Sequence, residues 1–216
     1  MDRELPIIFS TAMVRAILEG KKTQTRRVLL PQPRNGVRNS PFVKSGLEDL
    51  HGYKIKPSYY PGDRLYVRES FCLGKIEEED LADGYTGQLY VSQCINENDF
   101  IPKEYCLSSD ICIEEVTWKP SIHMPKKNTR IWLEVTGVKC TRLQDISAMD
   151  CIAEGIERST AIDVHDRTVE EINKYRELWD SLNARRGYGW DKNPWVWVIE
   201  FKKVLAPSGG ESEGER

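Results

Sequence analysis

Gly20-Lys21-Lys22-Thr23-Gln24-Thr25-Arg26-Arg27 is the stretch on which the reading of this chain turns. Its eight residues hold four cations, Lys21, Lys22, Arg26 and Arg27, and three neutral hydrogen-bonding side chains. A hydrophobic core does not need that composition; a site for an anionic or strongly polar ligand does, and a solvated basic turn is the plain alternative. Upstream, Ser10 or Thr11 caps a helix whose apolar residues Met13, Val14, Ile17 and Leu18 keep 3/4 spacing, and Gly20 is placed to end it in the left-handed conformation. Downstream, Thr23 to Leu30 reads as a strand. Thr23, Thr25 and Arg27 then share one face, opposite Gln24 and Arg26.

The charge distribution points the same way. From Leu5 to Leu47 the chain carries eight Lys/Arg against the single acid Glu19, yet the whole 216-residue chain has a net charge of −3. A basic segment on an acidic body fits a local anion site and argues against a protein that coats nucleic acid non-specifically. The sequence starts Met-Asp-Arg-Glu without an apolar signal core and has no run long enough for a membrane span, so a cytoplasmic location is expected. Six cysteines without a Cys-x-x-Cys pair, and three scattered histidines, give no zinc pattern. No metal or cofactor is expected.

The remaining chain alternates readable elements with loops. Residues 31–60, rich in proline and glycine, read as a long loop bordering the basic segment and limiting ligand size. Pro61-Gly62-Asp63 is a turn before a strand from Arg64 to Glu69, with Arg64, Tyr66 and Arg68 on one face. Residues 72–128 hold short strand candidates, Gln88–Val91 and Cys112–Trp118. Lys119 to Lys126 reads as extended because prolines bracket it. Strands follow at Arg130–Val135 and Val138–Leu143, with a break at Gly137. Ser147 and Asp150 form a capping box, and Gly155 ends that helix, leaving Glu154 against the helix dipole. A second amphipathic helix spans 168–184. Trp195–Val204 is apolar on both faces, the mark of a central strand. Residues 1–205 read as one domain and 206–216 as a disordered tail.

Together these pieces resemble the ASCH family of the PUA-like superfamily. The resemblance rests on Gly20-Lys21-Lys22 with Arg27, on Pro61-Gly62-Asp63, on Ala153-Glu154-Gly155 and on the strand from Trp195 to Phe201. Phe9-Ser10-Thr11-Ala12-Met13-Val14, Lys119 to Pro125 and Arg142 to Ser147 are similar to the longer bacteriophage and prophage members. The resemblance implies an α+β fold, a mixed β-barrel with flanking helices and insertions at about 31–60 and 72–128. It also implies a cleft for RNA or a nucleoside. Some compact bacterial members are amidohydrolases that remove the acetyl group from N4-acetylcytidine, and the resemblance matches their Lys, Thr and Glu to Lys22, Thr25 and Glu154.

The chemistry leaves two arrangements open. Lys22 serves as base if its amine is neutral, or Glu154 is the base and Lys22 stabilises charge, with Thr25 attacking or orienting a water. Because none of the three is expected to carry core packing, substitutions there should leave the fold intact. A non-catalytic RNA-binding module is the alternative: Arg26, Arg27 and Arg68 would hold phosphates while Tyr66, Trp190 and Trp195 stack bases and His123 contacts ligand. A phage accessory protein acting through protein contacts is the third class.

Overall fold

Capping chemistry sets the helix ends. The computed structural model describes residues 3–39, 46–74, 99–102 and 118–207. Helix α1 (Thr11–Leu18) follows Ser10, whose carbonyl accepts the Val14 N–H at 2.9 Å, and is closed by Gly20 at φ +73. Helix α2 (Ala148–Ala153) opens on the expected box: the Asp150 N–H donates to Ser147 Oγ and the Ser147 N–H to Asp150 Oδ2, each at 3.1 Å. Helix α3 (Val164–Asn183) starts a turn before the expected residue 168. The Asp163 carboxylate accepts the N–H groups of His165 and Asp166 there and supplies the cap.

The described chain falls into two compact units. The first comprises Met1–Arg3, Ala16–Asp63 and Glu134–Lys202. In it β2 (Gln24–Val28) runs antiparallel to β9 (Trp195–Val204), with Gln24 opposite Glu200, Arg26 opposite Val198 and Val28 opposite Val196. Val28, Val196 and Val198 face the helices and pack with Leu143, Ile146, Cys151, Tyr175, Trp179 and Trp190. Full burial of an aliphatic side chain such as Val198 contributes roughly 1.5–3 kcal/mol. On the opposite pleat of β2 stand Thr25 and Arg27, in register with Ile199 and Trp197. Strands β3 (Val37–Asn39) and β4 (Leu47–Asp49) pair antiparallel as a separate two-stranded sheet.

Strand β8 (Trp132–Arg142) does not break at Gly137 as expected. A Cβ at Gly137 would stand 2.8 Å from Glu200 Oε2, so the glycine admits the neighbouring strand's side chain instead of ending its own strand.

The second unit comprises Glu4–Arg15, Arg64–Leu133 and Lys203–Arg216. Strand β1 (Glu4–Ile8) runs parallel to β5 (Arg64–Arg68), Ile7 opposite Val67, and the Val67 N–H donates to the Ile131 carbonyl at 3.0 Å. Leu65, Val67, Ile131 and Leu133 are buried there. Strands β6 (Phe71–Gly74) and β7 (Asp99–Pro102) pair antiparallel. The segment after Trp118 is not extended throughout: Pro120 and Pro125 each precede a single 3-10 turn, Ser121–His123 and Lys126–Asn128. Proline is tolerated at a helix start because it needs no N–H there. The strand expected at 88–91, all of the one expected at 112–118 except Trp118, and the tail beyond 207 lie outside the described residues.

The fold is α+β, but among the described residues the sheet is not closed into the expected barrel. Along the hydrogen bonds the strand order is β1-β5-β8-β9-β2, so β1 and β2 are edges of an open mixed sheet. No helix among the described residues is long and apolar enough to cross a membrane.

Candidate functional site

Lys22 is placed by the end of α1. Its N–H donates to the Ala16 carbonyl at 3.0 Å, and the next residue, Thr23, donates to the Ala153 carbonyl at 2.9 Å. The chain therefore turns between α1 and β2 and brings Lys22 against the C-terminus of α2. Lys22 Nζ donates to the Glu154 carbonyl at 2.6 Å and to Glu154 Oε2 at 2.9 Å, and neither side chain is open to solvent, at 0% and 4% exposure. This resolves the oddity of a carboxylate at a helix C-terminus: one ammonium neutralises both the helix-end carbonyl and the side chain.

Arg26, 1% exposed, extends the network. Its guanidinium bridges Glu154 Oε1 and Asp150 Oδ2, each at 3.2 Å, while Gln24 Nε2 donates to Asp150 Oδ1 at 3.2 Å. Its centre lies 6.0 Å from the Tyr175 ring. The Arg26 Nε is buried without a hydrogen-bond partner among the described residues. Two cations thus meet two carboxylates, and Arg26 does not add the surplus positive charge that its sequence position suggests.

Gly155 makes the close approach possible. It stands at φ +93, and a Cβ there would lie 3.1 Å from Ala16 Cβ and 3.3 Å from Lys22 Cβ. Burial pushes the Lys22 ammonium below its ordinary value; Glu154 pulls it back up, and Arg27 and Arg26 push it further down. Burial also pushes the Cys151 thiol up to about 12, which removes it as a nucleophile near neutral pH.

Arg27 behaves differently. Its side chain is exposed, yet surrounding protein desolvates the guanidinium and pushes its pKa down, with Tyr59, Glu154, Arg186 and Tyr175 acting on its charge. Thr25 is buried on the same pleat as Arg27.

Of the residues expected at a site, Lys22, Glu154 and Arg26 are joined in one network, and Arg27 stands within its electrostatic reach. Trp190 is a core residue: it is 9% exposed and meets the Tyr175 ring edge-on at 6.3 Å. Trp195, half-buried, is covered by the Arg142 guanidinium at 4.6 Å. Tyr66, Arg68 and His123 belong to the second unit. There Tyr66 is buried beneath Arg68 and Lys126, at 5.6 and 5.9 Å from its ring, and Arg68 donates to the Ile122 carbonyl at 3.1 Å. His123 is exposed in its 3-10 turn. Asp150, Gln24 and Tyr175 are members of the network that the sequence did not single out. Among the described residues no three His, Cys, Asp or Glu side chains cluster closely enough to hold a metal ion.

The network has a pH signature. Burial raises the Asp150 carboxyl, but Ser147, Arg26 and Gln24 outweigh that and hold it below the ordinary 3.8. A carboxyl depressed on folding contributes stability that is present above its unfolded value and lost as pH falls through its folded value. The unfolding free energy should therefore decline as pH drops below 3.8. Asp49 titrates in the same direction, so the readout is a difference: urea unfolding of Asp150→Asn should show a shallower acid decline than wild type. Equal slopes would remove Asp150 from the network.

No family model and no curated protein matches the chain. Among solved structures it is similar to a high-resolution crystal structure of an ASCH domain from Lactobacillus crispatus JV V101. That match has 11% identity and a TM-score of 0.36, and covers 94% of this chain and 81% of the other.

Proposed function

We propose that the chain binds RNA, or a modified nucleoside, at the exposed face of β2 around Arg27. The observation that supports this reading is an exposed guanidinium on the pleat of β2 opposite Arg26, with Tyr59 and Arg186 within electrostatic reach, next to a charge-balanced network of Lys22, Arg26, Asp150 and Glu154. Arg27 and Arg186 supply positive charge for a phosphate, and Tyr59 supplies a half-buried ring. The network fixes the backbone of β2 and so the direction of Arg27. Arg27→Ala should weaken binding of a short single-stranded RNA by about tenfold, the loss expected from one charged contact of 1–3 kcal/mol, with unchanged thermal stability. Equal affinity in the variant would remove Arg27 from the site.

A second reading, hydrolysis of N4-acetylcytidine to cytidine and acetate, draws on the ASCH resemblance and on one observation. The Lys22 amine is depressed by burial and held against Glu154, as a Lys–Glu acid–base pair requires. Thr25 shares the pleat of Arg27 and is the candidate nucleophile. Incubating the protein with N4-acetylcytidine and following cytidine release tests it. Wild type should release cytidine, and Thr25→Val, which keeps the buried volume, should bind without releasing it. Binding without turnover by wild type leaves the binding reading alone.

A further inference from the structure

The long segment after β2 builds a pocket of its own. Its volume is about 400 Å³, and its walls are Leu29–Arg34 on one side and Asp49 with Tyr53–Lys56 on the other. That lies within the roughly 300–1,000 Å³ of typical small-molecule sites.

Both walls are fixed. On the first, Gln32 donates to the Leu29 carbonyl at 2.6 Å and the Trp195 carbonyl at 3.0 Å, and accepts the Trp195 N–H at 2.8 Å. On the second, the Asp49 N–H donates to the Tyr53 carbonyl and the Ile55 N–H to the Leu47 carbonyl. Burial would raise the Asp49 carboxyl, but the N–H groups of Tyr53, His51 and Arg34 hold it below its ordinary value. The Arg34 backbone thereby ties the two walls together, and the acceptor capacity of Asp49 is used internally.

What remains for a ligand is apolar surface and positive charge. Leu29, Leu30, Pro31, Pro33 and Ile55 give an apolar lining, and Tyr53, 64% exposed, adds a ring. Arg34, Lys54 and Lys56 are exposed, and none has a carboxylate partner among the described residues. Three unpaired cations on one small pocket repel each other, and a bound anion relieves that repulsion. We propose that this pocket binds a nucleoside monophosphate unit, its base between the apolar walls and its phosphate among Arg34, Lys54 and Lys56. It is a site additional to the one at Arg27. The unit is either free or one residue of a single strand. The choice of a nucleotide among anions rests on the function proposed above; the charge and size of the pocket do not.

Backbone amide shifts of the labelled full chain locate the binding. Cytidine 5′-monophosphate should shift amides in 29–34 and 49–56 more than cytidine or inorganic phosphate does. The Lys54→Glu/Lys56→Glu double variant should weaken that response by about tenfold or more, while amides of 20–27 respond as in wild type. A pentamer of single-stranded RNA that binds this pocket more tightly than the monophosphate assigns it to a strand; weaker binding assigns it to the free nucleotide. No shifts in these segments, shifts no larger than with inorganic phosphate, or shifts unchanged by the charge reversal would overturn the proposal. Pocket shifts persisting while residues 20–27 and Glu154 never respond would sink the Arg27 site and leave this one standing.

Discussion

Glu154→Ala is expected to destabilise the protein by about 3–5 kcal/mol, the cost of removing one partner of a buried charge network. Glu154 accepts from Lys22 and Arg26, whose side chains are 0% and 1% exposed. Without it, one ammonium and one guanidinium stay buried, the first against the backbone carbonyl of residue 154 and the second against Asp150. Water cannot reach them without opening the junction of α1, α2 and β2. Lys22→Met should cost less, since Arg26 still faces Glu154 and the methionine fills the space of the lysine stem. Urea unfolding of the two variants measures both numbers. A Glu154→Ala protein within about 1 kcal/mol of wild type would mean that the network contributes no more than a surface pair. The expectation that these positions carry no structural role is thereby corrected. A loss of function in Glu154→Ala cannot be read as chemistry unless the variant is shown to be folded.

Gly155→Ala is expected to be nearly as costly. Placing a β-carbon in the left-handed region costs roughly 1–2 kcal/mol, and residue 155 has φ +93. The new methyl also meets Ala16 Cβ at 3.1 Å and Lys22 Cβ at 3.3 Å, neither of which is the free end of a flexible chain. Overpacking of that kind adds roughly 1–3 kcal/mol. The contact falls on Lys22 itself, so relief requires moving the residue that grips Glu154. The melting temperature of Gly155→Ala should drop by several degrees, and its response to Lys22→Met should be non-additive, because the second change frees the obstructed neighbour. Additive effects would show that Gly155 acts through its backbone alone.

The parts legible in the sequence are those written locally. Ser147 with Asp150, Gly20 and Gly155 mark helix ends by chemistry that acts within four residues, and all three sit where expected. The alternation of β2 separated Gln24 and Arg26 from Thr25 and Arg27, and the structure keeps that separation. It could not say which face the helices cover, so Arg26 and Arg27 looked equivalent when one is buried and the other exposed. Asp150 was hidden behind its capping role: one carboxylate serves Ser147, Gln24 and Arg26 at once. Trp190 sits in a glycine-rich loop, which suggests an exposed ring. Its backbone N–H donates to Asp180 Oδ1 at 2.6 Å and the ring folds back into the core, a contact across ten residues that no local pattern carries. The open sheet was equally out of reach, because it depends on which distant strands become edges.

The surface around Arg27 is proposed to take a polyanionic or nucleoside ligand. The most direct measurement of this is a fluorescence anisotropy titration of wild-type protein with a short labelled single-stranded RNA at 50 and 200 mM salt. Saturable binding at low salt that weakens severalfold at the higher salt is the predicted result, since release of counterions from a few phosphate contacts drives association. No saturable binding at 50 mM salt, or an affinity that does not change with salt, would contradict the account.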